Sequence, residues 1–198
     1  MSDNGGGGIT EEQLAWYKSE SAALKEANGG EPVPSILFQH VPVEDMGNLF
    51  EECNFWDEGA SVGDDGKYYR LNHEIANGYH AGAMIPGSTS EQFKAWKECG
   101  DVVGAYFGHW HTEGYTGTWD GIELGFTYGC EFAKPGPYGV RVITLYEDNI
   151  KNFDNILYAN SNKPVWWKCE KGHEWQVSPN QRIYYNSNCP YCSNNKVL

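Results

Sequence analysis

The sequence predicts an α/β body, a mixed sheet with its helices on one face, followed by a small zinc-bound module at the C-terminus. Three observations carry this. Capped helical segments and short apolar runs follow one another in the order helix, strand, loop, helix, strand, strand, strand. The charge changes sign along the chain: positions 1–160 hold 9 Lys+Arg against 25 Asp+Glu and positions 161–198 hold 5 against 2, within a total of −13. The cysteines divide at the same place, with Cys53, Cys99 and Cys130 scattered and Cys169, Cys189 and Cys192 clustered.

Residues 1–8, "MSDNGGGG", read as a flexible start, too polar and glycine-rich to bury. "ITEEQLAWYKSESAALKEANGG" is a helix with marked ends. Thr10 is its N-cap, Gln13 occupies the capping-box position, Glu11 and Glu12 suit the positive end, and Asn-Gly-Gly stops it. Leu14, Tyr17, Ala22 and Leu24 approximate its apolar side. Pro32 and Pro34 separate it from "SILFQH", a short buried strand ending in His40. Residues 44–53 suit a short helix. Residues 54–90 have no sustained period, the mark of a long functional loop. "STSEQFKAWKECG" is a second helix capped by Ser88 or Ser90. "DVVGAYF", "GIELGFTYG" and "YGVRVITLYED" are strands, and "SILF", "VVGAYF" and "VRVITLY" are apolar on both faces as in a sheet covered on two sides. Residues 151–164 read as a linker and 165–198 as the terminal module.

Several classes are disfavoured. No apolar run approaches the roughly 20 residues of a membrane helix, and the first residues lack the basic and apolar regions of a signal peptide. The expected setting is cytoplasmic, with the scattered cysteines reduced. The acidic body would repel a nucleic-acid backbone, whereas the basic tail would not.

His109 and His111 follow the strand "DVVGAYF" and a glycine, Gly108, which allows close approach by a ligand or another backbone. Side chains two apart on an extended segment point the same way. If "SILFQH" runs parallel to that strand, His40 reaches the same sheet edge, where ligands of α/β proteins gather. Three imidazoles suit zinc, manganese or iron and leave coordination positions open. Glu113, Asp120 and Glu123 read as solvated charges rather than ligands.

"FGHWH" resembles the Gly-His-x-His block of calcineurin-like metallophosphoesterases, and "SILFQHVPVEDM" the preceding histidine block in their purple-acid-phosphatase-like branch. "GTWDGIELGFTYG" and "YGVRVITLYED" look like the strands that follow. The resemblance covers about residues 9–150. It implies half of a two-sheet sandwich, hydrolysis of a phosphate ester, and a dinuclear centre of manganese, iron or zinc. His40 and His109 would bind one metal and His111 the other. The family's upstream Asp-x-His, Gly-Asp and Gly-Asn-His blocks have no counterpart before His40, so the resemblance is to a C-terminal half. A complementary N-terminal half, or self-association, is therefore expected. "LNHEIANGYH", with Asn72, His73, Glu74 and His80, mimics a Gly-Asn-His block but lies downstream of His40. It is assigned to the loop near the substrate mouth.

In the tail, Cys169-x3-His173 and Cys189-x2-Cys192 form two knuckles separated by 15 residues. Four soft ligands fill a tetrahedral zinc, which makes the ion structural. "WKC", "GHEW" and "CPYC" resemble a family of small zinc ribbons, often found in tandem. Trp166, Trp167 and Trp175 would form a miniature core. The +3 charge, Arg182 and the aromatics Tyr184 and Tyr185 permit nucleic-acid binding. The body could then be a non-catalytic remnant that presents the zinc module to a nucleic acid or a protein.

Overall fold

The structure, a computed structural model, describes residues 9–82, 90–129, 139–146, 154–159, 164–178, 181–182 and 187–193, with backbone alone for 154–159 and Val165. The chain begins with helix α1 (Glu11–Ala27) and strand β1 (Ser35–Gln39). A 3₁₀ turn (Glu44–Leu49) follows, then β2 (Phe50–Cys53), β3 (Ser61–Val62), β4 (Tyr68–Leu71) and β5 (Ala76–Tyr79). Helix α2 (Gln92–Cys99) precedes β6 (Val102–Phe107), β7 (Gly114–Trp119), β8 (Ile122–Phe126) and β9 (Gly139–Thr144). The last elements are β10 (Asp154–Ala159), β11 (Val165–Lys168) and β12 (Glu174–Val177).

The capping box closes α1 as expected. Thr10 Oγ1 accepts from Gln13 N–H at 3.2 Å and Gln13 Oε1 accepts from Thr10 N–H at 2.9 Å. The buried stripe is Leu14, Tyr17 and Ser21, however, and Ala22 and Leu24 face solvent. Lys18 pairs with Glu98 of α2 at 2.7 Å, and the Tyr17 hydroxyl bonds to Asp101 just before β6. α1 therefore lies beside α2. The N-cap of α2 is Glu91, with no side-chain capping bond, where Ser90 or Ser88 was expected; Ser90 Oγ accepts from Gln92 N–H at 3.4 Å, and Ser88 lies outside the described residues. Gly100, at φ 74°, ends α2 in the left-handed region that glycine occupies without strain.

The main sheet is mixed, in the order β1-β6-β8-β7-β5. β1, β6 and β8 run parallel, β7 runs antiparallel to β8, and β5 runs antiparallel to β7. Leu124 of β8 pairs with Ala105 and Phe126 with Phe107, so one sheet face is continuously apolar. Phe93 and Trp96 of α2, and Met46 and Leu49 of the 3₁₀ turn, join the same core cluster. On the other face Phe38 stacks on Tyr106 at 5.9 Å, and Gly125 lacks the Cβ that would stand 2.8 Å from the Tyr106 ring. Arg141 of β9 lies 5.0 Å over that ring, and Phe38 remains 68% exposed.

Three elements depart from the sequence reading. The expected helix over 44–53 is a 3₁₀ turn that runs into β2, because the carbonyl of Leu49 accepts from Asn72 N–H and the following residues pair with β4. The segment 54–90 contains β3 and β4, which join β2 in a three-stranded sheet of order β2-β4-β3, and β5, an edge strand of the main sheet. Within the stretch read as a linker, β10 pairs antiparallel with β9. Among the described residues the architecture is one five-stranded mixed sheet with smaller sheets of three, two and two strands, and no second large sheet completes a sandwich. No described helix is long and apolar enough to cross a membrane.

Candidate metal centre

β11 and β12 form a hairpin in which Trp167 pairs with Trp175. The turn between them is tight: Gly172 N–H donates to the Cys169 carbonyl at 2.8 Å and Cys169 N–H to the His173 carbonyl at 3.0 Å. Gly172 has φ 82° and completes it at no steric cost. The second knuckle is held by Ser193, whose N–H and hydroxyl both reach the Cys189 carbonyl, at 3.0 and 2.8 Å.

The two knuckles bring four ligands together. His173 Nδ1 lies 3.5 Å from Cys169 Sγ, 3.7 Å from Cys189 Sγ and 3.4 Å from Cys192 Sγ, and Cys169 Sγ is 3.9 Å from Cys192 Sγ. A tetrahedron built on Zn–S and Zn–N bonds of about 2.3 and 2.0–2.1 Å has edges of about 3.5–3.8 Å. The ligand atoms thus outline the polyhedron of a structural zinc site, with all four positions filled by protein. Crowded thiols divide their acidity. Burial and the neighbouring thiols push Cys192 up to about 11. At Cys169 burial also acts upward, but backbone N–H donors and the other thiols prevail and bring it down to about 7.

The expected miniature core of three tryptophans is reduced to two. Trp175 is buried, and Trp167 donates its indole N–H to the Val177 carbonyl at 2.9 Å with Arg182 5.7 Å over its ring. Trp166, on the opposite hairpin face, is 69% exposed. Strand alternation forbids neighbouring tryptophans from sharing a face. Tyr184 and Tyr185 lie outside the described residues.

The histidines of the body meet only in part. β1 and β6 are parallel, with Gln39 opposite Phe107, so His40 and Gly108 leave the sheet at the same edge. His109 Nδ1 stands 3.4 Å from His40 Nε2, and the rings meet edge to face at 5.2 Å. Gly108 makes the approach possible, since a Cβ there would lie 3.3 Å from His40 Nδ1. His111 does not complete the trio. Among the described residues, only the Cys169–His173–Cys189–Cys192 set brings three or more potential ligand atoms within 4.8 Å of one another. The cause is local. His109 has φ 72°, so the segment is a turn rather than an extended strand, and the two-residue rule for same-side projection does not apply. The His111 carbonyl instead accepts from Gly129 N–H at 2.8 Å.

A second polar constellation was not anticipated. Glu113, expected to be a solvated charge, is fully buried at the start of β7. Its carboxylate accepts from His80 Nδ1 at 2.9 Å and from Ala81 N–H at 3.0 and 3.2 Å. His80 Nε2 lies 2.7 Å from Ser61 Oγ. Burial first, and then the Glu113 charge, hold the Tyr115 hydroxyl well above the ordinary tyrosine range. The chain of groups ties β3, β5 and β7 together. His80 therefore does not belong to an open loop near a substrate mouth; its side chain is 4% exposed. No local pattern marks Glu113 in the sequence, because its burial depends on a distant partner. Glu123 accepts from the Tyr106 hydroxyl, and Asp120 is exposed beside Lys97 at 3.3 Å.

The zinc tetrahedron and its two knuckles define a zinc finger carried on an α/β body. Residues 144–195 match the family described as "Probable Treble clef zinc finger domain". The finger is thus of the treble clef class where a ribbon was expected; ligand spacing identifies the ion but not the elements that carry the ligands. The chain is also similar to the protein named "Putative endonuclease" of Escherichia phage T5. The two are 28% identical over 64 residues, 30% of this chain and 23% of that protein. This chain therefore spans under a quarter of that relative's length. No solved structure matches the chain.

Proposed function

We propose that this chain is a nucleic-acid-associating protein whose C-terminal zinc finger is the docking module. The observation that carries the reading is the placement of the zinc site in the basic segment of an acidic chain, with Lys168, Lys171 and Arg182 around ligands Cys169 and Cys189. Phosphate contacts by such groups supply sequence-independent affinity, and the zinc fixes their spacing. The name of the phage relative agrees with this reading. The test is an electrophoretic mobility shift with the zinc-loaded chain and labelled DNA and RNA at low salt. A shift that disappears in Cys192→Ser is the expected result. No shift with any nucleic acid contradicts it.

A second reading concerns the body, and the His40–His109 pair favours it. In this reading the pair would contribute two ligands to a metal at a site for a phosphate ester, and the finger would deliver a nucleic acid as the substrate. The metal would supply Lewis acidity when bound; the chain supplies two imidazoles at a sheet edge with Gly108 clearing the approach. The resemblance to metallophosphoesterases would assign His111 to a second metal. Three neutral ligands without a bridging carboxylate hold two dications poorly, so the expected activity of the chain by itself is weak. Hydrolysis of an aryl phosphate diester should require added manganese or zinc. It should fall at least tenfold in His109→Ala and remain in Cys192→Ser. Equal rates in His109→Ala contradict this second reading.

A further inference from the structure

A cleft of about 680 Å³ opens between the β11–β12 hairpin and the second zinc knuckle. Its walls include Trp166 and Gln176 from the hairpin and Ser187, Asn188 and Tyr191 from the knuckle side. The volume falls within the range of about 300–1,000 Å³ that holds small ligands. Trp166 and Gln176 are cross-strand partners and both are exposed. The Trp166 indole is 69% exposed, on the hairpin face opposite the finger's core. Glu174, the one acidic group on the wall, pairs with Lys168 at 3.1 Å.

A second, basic cleft of about 560 Å³ adjoins the first, and Asn188 and Ser193 line both. It carries Lys168, Lys171 and Arg182 together with the zinc ligands Cys169, Cys189 and Cys192; Glu170 also lines it. An aromatic plate with amides beside it, joined to a basic channel, has the makings of a site for an unstacked nucleotide. The plate offers a π-face to any base, Gln176 and Asn188 can bond a base edge, and the cations track the phosphates. A paired base offers no free face to such a plate.

We infer that the finger binds single-stranded nucleic acid, with one unpaired base stacked on Trp166 between the hairpin and the Cys189–Cys192 knuckle and its flanking phosphates on Lys168, Lys171 and Arg182. This rests on the nucleic-acid reading above and adds the strandedness and the base-holding residue.

The test uses the whole zinc-loaded chain and fluorescence anisotropy with a labelled oligothymidine and a duplex of the same length. The expected result is at least tenfold tighter binding of the single strand. Trp166→Ala should weaken that binding roughly 5- to 100-fold, the range given by removing one stacked aromatic, with zinc content unchanged. Trp166→Phe should keep most of the affinity, which a folding defect would not allow. Lys171→Ala should weaken single strand and duplex alike and lower the salt slope by about 0.7 on the single strand and about 0.9 on the duplex. Duplex bound as tightly as single strand, or Trp166→Ala binding like the parent with zinc retained, overturns the inference and leaves the docking role intact. Absence of binding to either nucleic acid overturns both.

Discussion

Replacing Cys192 with serine empties the zinc site and unfolds the C-terminal finger, while the body keeps its helices and main sheet. The finger's described core is small, with Trp175, Ser178 and Cys189 its buried residues. A module of this size, about 30 residues, cannot offset chain entropy by apolar burial alone. Structural zinc contributes about 10–16 kcal/mol in such modules, so it dominates their stability. Three ligands cannot close the tetrahedron, and the knuckle at Cys189–Cys192 loses its anchor. Elemental analysis should give one zinc per parent chain and well under half of that in Cys192→Ser. Limited proteolysis should then cut beyond residue 164 and leave the body intact. Acid acts in the same direction, because the ligands must give up protons to bind: zinc should be lost as pH falls and regained as it rises. Full zinc content in Cys192→Ser would mean that the four ligands do not share one ion.

The second large effect is expected at Glu113. Changing it to alanine leaves the Ala81 N–H without its acceptor and the nearly buried His80 side chain without its Nδ1 partner. Leaving a buried polar group without its hydrogen-bond partner costs about 1–3 kcal/mol, which in a body of this size lowers the melting temperature by on the order of 5 °C. Glu113→Gln should lose less, since an amide oxygen still accepts from Ala81. Thermal unfolding followed at far-ultraviolet wavelengths checks the order parent, Gln, Ala. The result that refutes the structural role is an alanine variant as stable as the parent. Ser61→Ala, at the far end of the same chain of groups, should cost least of the three variants, because a serine hydroxyl carries no charge to orphan.

Local signals carried the parts of the fold that depend on local chemistry. The Thr10–Gln13 capping box and Gly100 at the end of α2 are consistent with what the capping residues suggested, and the parallel pairing of β1 with β6 meets the condition on which the histidine reading depended. The zinc ligands were legible for the same reason: four ligands at two short spacings, with Gly172 and Pro190 at the turns. What escaped depends on distant partners or on a single torsion. Glu113 reads as a surface charge until His80 and Ala81, more than thirty residues earlier in the chain, close over it. The trio His40, His109 and His111 rested on an extended backbone, and one left-handed residue, His109, removes that premise. β2 to β5 were unreadable because their strands are two to four residues long and gain their order from pairing rather than periodicity. The tryptophans of "VWWKC" could have been divided by strand alternation, which puts Trp167 inward and Trp166 outward.

The docking role of the finger is tested most directly by the salt dependence of binding. The measurement is the affinity of the zinc-loaded chain for a labelled single-stranded oligonucleotide across a series of salt concentrations. Lys168, Lys171 and Arg182, each neutralising one phosphate, predict a slope of log K against log salt near −2, from about −0.7 per contact on a single strand. Binding should vanish when the zinc is chelated and return when it is restored. A flat salt dependence, or affinity unchanged by chelation with the zinc shown to be gone, would contradict the account.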